Sequence, residues 1–106
     1  YAKDIRLNLG TLASETSLSD QQKWGAFLAS AMATGESAVI KAITEETADK
    51  LSPEAATAAR AAAAVMAMNN VYYRFLHLSS DKQFTKLPAG LRMNAMANPG
   101  VEKADF

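Results

Sequence analysis

The chain has 106 residues, no cysteine, one histidine and 11 basic against 11 acidic side chains. This length predicts one domain with one modest core, and the missing cysteines exclude disulfides, thiolate metal sites and thiol nucleophiles within these residues. A single histidine, His77, excludes a multi-histidine metal site. The net charge of −2 over residues 1–53 and +2 over residues 54–106 is too shallow a split for a nucleic-acid-binding surface.

The first residues of the chain have the apolar periodicity of a helix. Ile5, Leu9 and Leu12 form one apolar stripe of a short first helix, and residues 10–19, rich in serine and threonine, are expected to end that helix and form a loop. Ser19 and Gln22 have the spacing of a capping box. They predict the start of a second helix, whose apolar positions recur with helical spacing: Trp24, Phe27, Leu28, Ala31 and Met32. Gly35 supplies the left-handed residue that ends it.

Two more helices are predicted in the middle of the chain. Ser37 is expected to cap a third helix with Ile40, Ile43 and Thr47 on one side and charged residues on the other. Ser52 followed by Pro53 and Glu54 is a helix-start signal, because serine accepts from free amides and proline lacks one. From Pro53 a helical pattern runs to about His77, alanine-rich at first and aromatic after Asn69-Asn70.

The remaining residues predict shorter elements. Residues 79–86 are polar and are expected to form a loop. Leu91, Met93 and Met96 are expected on a short helix that Asn98-Pro99-Gly100 terminates, and residues 101–106 look like the lead-in to another helix. No stretch is long and apolar enough for a membrane span, and no signal peptide opens the chain, so the expected location is the cytoplasm. The fold class is all-α, a bundle of about five helices that needs further partners to close its core.

No catalytic motif is present, and we assign no catalytic, cofactor-binding or metal-ligating residue. Glu45 and Glu46 could suggest an acid/base pair, but neighbours on a helix point about 100° apart, which favours a solvated face. His77 is the one side chain expected to titrate near neutrality. Its position at the end of the long helix favours a capping role over a proton shuttle.

Two other features have a structural and a functional interpretation. Asn69 and Asn70 lie mid-helix, where they indicate either a kink or interhelical hydrogen bond, or amides that line a polar cavity or subunit interface. The aromatic residues are expected in the core or a subunit interface rather than around a cofactor. They are Trp24, Phe27, Tyr72, Tyr73 and Phe75.

Five segments occur in an order and spacing that resemble the N-terminal half of the alkyl hydroperoxidase D family, which has the all-helical carboxymuconolactone decarboxylase-like fold. They are YAKDIRLNL (1–9), QKWG (22–25), LASA (28–31), MNNVYYR (68–74) and LRMNAMANPG (91–100). The resemblance covers essentially the whole chain and is least clear over residues 75–86. It implies the incomplete half of an alkyl hydroperoxidase D-like fold, with residues 1–106 as the N-terminal helical scaffold of a single domain.

The resemblance implies an antioxidant peroxidase that forms a homotrimer and reduces alkyl hydroperoxides with a Cys-x-x-Cys pair, a glutamate and histidines. One thiolate attacks the peroxide to give a sulfenic acid, and the second thiol condenses with it. Electrons come from lipoamide on a partner, dihydrolipoamide acyltransferase, and a further partner is the peroxiredoxin alkyl hydroperoxide reductase C. No cofactor is expected to be bound to this chain.

The sequence departs from the family at the site of chemistry, because residues 1–106 contain none of these catalytic positions. In the family the glutamate follows shortly after the Asp-Phe pair at 105–106, and the cysteines lie further on. We therefore expect a scaffold and trimer-interface segment of a longer peroxidase that lacks the redox half. The alternatives are a free-standing helical interaction module without redox activity, and a relative with decarboxylase-type chemistry.

Overall fold

A computed structural model describes residues 1–106, and it confirms the all-α fold class with five α-helices and no strand. Helices α2 and α4 form the main packed pair, and α3 packs against α2. A five-residue 3₁₀ helix connects the last two α-helices. The α-helices are α1 (Ala2–Ala13), α2 (Asp20–Thr34), α3 (Ser37–Glu46), α4 (Pro53–Leu78) and α5 (Asn94–Ala97), and the 3₁₀ helix is Lys82–Lys86.

Local hydrogen bonds explain where the two packed helices begin. At α2 the Ser19 hydroxyl accepts from the Gln22 amide at 3.2 Å, and the Gln22 side chain accepts from the Ser19 amide at 3.1 Å. This is the predicted capping box. At α4 the Ser52 hydroxyl accepts from the Ala55 amide at 3.1 Å, with Pro53 in the first turn. Gly35 ends α2 at φ +68°, the left-handed conformation that glycine adopts without strain.

The end of α1 at Ala13 falls within residues 10–19, where it was expected. The helix continues through Gly10, since one glycine costs only about 1 kcal/mol within a helix and does not by itself end it. One predicted cap was wrong. Glu36, not Ser37, caps α3, because its carboxylate accepts from the Ala38 amide at 3.2 Å.

Differences also occur towards the end of the chain. The expected loop over residues 79–86 contains the 3₁₀ helix, which Asp81 caps by accepting from the Gln83 amide at 3.0 Å. Met93 only precedes α5, whereas Met96 lies within it. Residues 101–106 form one turn, in which the amides of Asp105 and Phe106 donate to the Glu102 carbonyl.

The core is small and made mostly of alanine. Leu28 is the one large side chain with no exposed surface. The Thr47 hydroxyl, also buried, donates to the Ile43 carbonyl at 2.8 Å at the end of α3. The buried apolar residues are Leu28, Ala31, Ala55, Ala58 and Ala59. Because alanine side chains are short, α2 and α4 can approach closely, but each contact removes little apolar area from water.

The chain is more open than a self-contained domain. Its accessible surface is 7786 Å², against about 5,700 Å² for a compact monomer of this mass. Its radius of gyration is 16.5 Å, against about 13 Å expected for this length. The excess of about 2,000 Å² agrees with the expectation that these helices need further partners.

Much of the exposed apolar surface belongs to α1. This helix has no buried residue. Leu9 and Leu12 border a depression of about 270 Å³ together with Leu18 and Phe27. Leu9 and Leu12 nevertheless keep half or more of their own surface exposed. The apolar stripe predicted for α1 therefore exists as a surface that this chain leaves largely uncovered.

The loop after α1 gives a pH-dependent prediction. The Glu15 carboxylate accepts from the amides of Ser17 at 2.8 Å and Thr16 at 2.7 Å, and these two bonds lower the pKa of Glu15 from its ordinary value of 4.5. Because the folded-state pKa is the lower one, the stabilisation is present above pH 4.5 and is lost as pH falls through the folded value. NMR titration of the Glu15 side-chain carboxyl carbon should give a midpoint below 4.5. A midpoint at or above that value would contradict the loop geometry.

Candidate functional site: a groove of small side chains between α2 and α4

A cavity of about 350 Å³ lies between α2 and α4 and is bordered on one side by the last turn of the chain. Small side chains form its floor, and Leu18, Val101 and Phe106 contribute the larger apolar surfaces. The alanines that line it are Ala26, Ala29, Ala55, Ala58, Ala59, Ala62 and Ala104. The alanine side chains can neither act as nucleophiles nor transfer a proton, so the floor of the groove can receive another packed element, and the one ionisable side chain on its border is Asp105.

One acidic side chain connects the last turn to the start of α2. The Asp105 carboxylate accepts from the Gln21 side-chain amide at 2.7 Å and from that of Gln22 at 2.8 Å. Since Gln22 also belongs to the capping box with Ser19, the same glutamine completes the helix start and secures the turn. A carboxylate in this position also interacts favourably with the positive end of α2. Asp105 therefore fixes residues 101–106 at the edge of the groove.

Two lysines lie over the Trp24 ring, on another part of α2. The Lys23 and Lys50 ammonium groups are 5.4 and 5.0 Å from the ring centroid, within the range of cation–π attraction. Lys50 also pairs with Glu46 at 3.0 Å and Asp49 at 3.1 Å. Hydrogen bonds to Glu46 and then Asp49 raise the pKa of Lys50, and the bond from Lys50 lowers the pKa of Asp49. Charge pairing accounts for this cluster without a ligand.

Glu45 and Glu46 form the solvated face that the sequence favoured. Both are exposed, and each faces a different lysine: Glu45 lies 3.9 Å from Lys41, and Glu46 lies 3.0 Å from Lys50. The structure therefore does not bring the two carboxylates together as an acid/base pair.

His77 lies in the last turn of α4 and is exposed. It borders an open depression of about 490 Å³ together with Asn70, Tyr73 and Arg74. These residues recur at helical spacing on one face of α4. These four side chains include hydrogen-bond donors but no carboxylate, whereas the alanine groove is bordered by the Asp105 carboxylate.

The pair Asn69-Asn70 does not make the expected interhelical hydrogen bond. α4 is continuous through both residues. The Asn69 Oδ1 atom is buried without a hydrogen-bond partner, a costly arrangement for an amide oxygen. Asn70 is exposed and borders the depression next to His77.

The aromatic residues form separate pairs rather than one core. Trp24 and Phe27 have ring centroids 5.3 Å apart on α2. Tyr72 and Tyr73 are 5.2 Å apart, edge to face, and Phe75 lies 5.4 Å from Phe84 of the 3₁₀ helix. Tyr73 and Phe75 are about half exposed, so these two do not lie in the core, and their place in a subunit interface, the other expectation, stays a prediction.

The sequence did not single out Gln21 or Asp105. The glutamine and the aspartate are 84 positions apart, and no local pattern signals such a pairing. The structure also contains no group of three or more histidine, cysteine or carboxylate side chains placed to hold a metal ion. No helix combines the length and apolar character needed to cross a membrane.

The protein is all-helical, and its central groove is built from small side chains. Comparison with known sequences identifies its relatives. No protein-family model matches the chain. A relative from Maricaulis maris, named alkyl hydroperoxide reductase AhpD, is 62% identical over all 106 residues, which are 61% of that protein. Proteins of the same name from Hyphomonas neptunium and Rhizorhabdus wittichii are 61% and 58% identical over the whole chain, covering 59% and 61% of their lengths.

These comparisons confirm the resemblance to the alkyl hydroperoxidase D family over the full chain. The chain spans about three fifths of the length of the curated relatives it matches. The all-helical fold agrees with that similarity.

Proposed function

We propose that residues 1–106 are the helical scaffold and trimer-interface segment of an alkyl hydroperoxide reductase. The observation that carries this proposal is the identity of 62% with an alkyl hydroperoxide reductase over every residue of the chain. In the proposed reaction a Cys-x-x-Cys dithiol reduces the hydroperoxide to an alcohol and water and becomes a disulfide, and lipoamide-derived electrons restore the dithiol. The cytoplasmic location stays a prediction from the sequence.

The thiol chemistry would take place on residues other than these 106. Exchange with lipoamide or attack on a peroxide requires a thiolate, and the chain has no cysteine. The chain therefore does not fit lipoamide as a thiol–disulfide partner, and the proposed association with dihydrolipoamide acyltransferase and with alkyl hydroperoxide reductase C would likewise depend on the redox half.

The groove between α2 and α4 supports the scaffold role. Small side chains on its floor would let a further helix approach closely, and the turn fixed by Asp105 borders the same groove. We propose that the redox half of the peroxidase packs there. This would place the thiols over a floor that contributes no competing nucleophile.

The proposed trimer interface is supported by the uncovered apolar surface. A specific interface of standard size removes about 800 Å² from each partner, so two such interfaces per protomer, as in a ring of three, would use most of the excess of about 2,000 Å². The exposed apolar residues on α1 and on the second half of α4 include Ile5, Leu7, Leu9, Leu12, Met66, Val71 and Leu78.

A chimera tests the proposal. Residues 1–106 would be joined to the region of the Maricaulis maris relative that the chain does not match. We expect this chimera to reduce cumene hydroperoxide with dihydrolipoamide as reductant and to have the mass of a trimer by light scattering. The relative's region alone and a chimera with every cysteine of that region replaced by serine are the controls, and both are expected to be inactive.

Three results would count against the proposal or a part of it. A helical, folded chimera no more active than its serine control would reject the scaffold role and leave the interaction-module alternative. Peroxide reduction by residues 1–106 alone would show that the chemistry does not need a second half. A folded monomeric chimera that retains activity would reject the trimer interface while preserving the scaffold.

A further inference from the structure

Gly25 is a glycine in the middle of a helix for which residues 1–106 give no local reason. Three of the five glycines have a positive φ, at Gly35, Gly90 and Gly100, whereas Gly25 has the ordinary conformation of α2. Glycine in a helix interior is less favourable than alanine, because it loses more conformational freedom on folding. A β-carbon built on Gly25 would meet no heavy atom within 4 Å beyond its chain neighbours and the local helix backbone. No contact within the chain therefore excludes a side chain at this position.

Gly25 borders the alanine groove between α2 and α4. The α2 side of the groove includes Gln21 and Ala29, which are about 12 Å apart along the helix axis. Gly25 and Ala29 are four residues apart, and Ala58 and Ala62 repeat this spacing on α4. Residues four apart form one ridge of a helix surface, so both walls of the groove have low ridges. The groove therefore has room for about two turns of a further helix at short range.

The polar side chains on the border of the groove are already bonded to one another. The Asp105 carboxylate accepts from the side-chain amides of Gln21 and Gln22, and the Gln22 side chain accepts from the Ser19 amide. A small-molecule site usually contains a few polar groups that are placed to orient the ligand. Here the remaining lining is apolar, which fits the apolar face of a packed helix better than a small molecule.

We propose that a helix of the redox half lies in this groove and crosses α2 at Gly25, closer than a β-carbon would permit. The inference rests on the proposed function, which supplies the occupant. Two observations support that occupant: the chain spans about three fifths of the length of its relatives, and the turn at residues 101–106 borders the same groove. Gly25 would thus select a helix with a small side chain at the crossing point. It is a packing residue and takes no part in the chemistry.

A pair of glycine-to-alanine substitutions tests the proposal by a reversal of sign. Gly25→Ala and the control Gly10→Ala are each made in residues 1–106 and in the chimera with the Maricaulis maris region. Gly10 lies inside α1, and a β-carbon there also has open space. In residues 1–106 both substitutions should raise the ratio of folded to unfolded protein about two- to fivefold in urea unfolding. In the chimera Gly10→Ala should keep that gain, whereas Gly25→Ala should lower the ratio at least about fivefold, because the added methyl group overpacks the crossing.

Thiol labelling gives a second measurement that does not require the Gly25→Ala chimera to fold. Ala26→Cys places a thiol at an exposed position on the border of the groove, and residues 1–106 contain no other cysteine. In the chimera whose other cysteines are replaced by serine, this thiol should react with a maleimide at least about tenfold more slowly than in residues 1–106. Ser17→Cys, in the exposed loop before α2, is the control and should react at similar rates in both proteins.

Three results would overturn the proposal. They are a gain of stability in the chimera on Gly25→Ala, equal labelling of Ala26→Cys in the two proteins, and a dimer of residues 1–106 by light scattering that Gly25→Ala abolishes. The last result would make a second copy the occupant. Activity is read separately. An inactive chimera that loses stability on Gly25→Ala would reject the peroxidase role and support the crossing at Gly25, and an active chimera that gains stability would do the reverse.

Discussion

Replacing Leu28 with alanine is expected to lower the free energy of unfolding by about 2–5 kcal/mol, the range found for leucine truncation in a packed interior. Leu28 lies on α2, which packs on both α3 and α4, and it is the one large side chain with no exposed surface. The other buried apolar residues are all alanines, whose side chains have no rotamers with which to fill the space left behind. Against a typical total stability of about 5–15 kcal/mol, this loss is a large fraction of the free energy that keeps the chain folded.

Urea unfolding would measure the effect through far-UV circular dichroism and the fluorescence of Trp24, which is the only tryptophan and lies one turn before Leu28. Leu7→Ala is the matched control, because Leu7 is 58% exposed on α1, and it should shift the unfolding free energy by less than about 0.5 kcal/mol. Equal effects of the two substitutions would mean that the core does not lie where α2 packs on α3 and α4.

The predictions that succeeded depend on partners close in sequence. The capping box of Ser19 and Gln22, the Ser52-Pro53 start and the left-handed Gly35 each involve residues within three positions of a helix end, so residue type and spacing suffice. The same reasoning failed at Glu36. There a longer carboxylate reached the Ala38 amide in place of the hydroxyl that usually caps a helix.

The features that the sequence did not predict depend on the path of the whole chain. Phe75 and Phe84 contact each other across the end of α4, and this contact brings order to a segment whose polar composition indicated a loop. The sequence also did not predict that Tyr73 and Phe75 are half exposed, because an amphipathic pattern shows which residues share a face but not what covers that face. The alanine groove was not predicted for the same reason. Alanine-rich positions indicate that another element approaches the helix closely, but not which element does so.

In a scaffold whose core is mostly alanine, stability is expected to depend on partner binding. Alanine contacts keep α2 and α4 close but supply little hydrophobic free energy per residue, so the pair is expected to gain stability from whatever covers its groove and its exposed helices. Binding to the folded state alone stabilises it by mass action. The open packing that limits burial in the isolated chain also leaves apolar surface that a partner could cover.

Asp105→Ala is expected to release the last turn from α2. The substitution removes both acceptors, at 2.7 Å from the Gln21 amide nitrogen and 2.8 Å from that of Gln22, and hydrogen bonds to a charged group are each worth about 1.5–3 kcal/mol. Hydrogen exchange by NMR should show at least about tenfold faster exchange of the amides of residues 105 and 106, which donate to the Glu102 carbonyl in this turn. Amides within α2 and α4 should change much less, because the turn can open while the packed pair stays folded.

A double-mutant cycle makes the test specific to the contact. Gln21→Ala removes one donor, and its effect combined with Asp105→Ala should be smaller than the sum of the two single effects, since both substitutions break the same bond. Asp4→Ala, at an exposed position of α1 without a hydrogen-bond partner, controls for the loss of one negative charge. Additive effects of Gln21→Ala and Asp105→Ala would contradict the contact. Unchanged exchange at residue 106 would show that the turn is held by Val101 and Phe106 against the alanine groove rather than by the carboxylate.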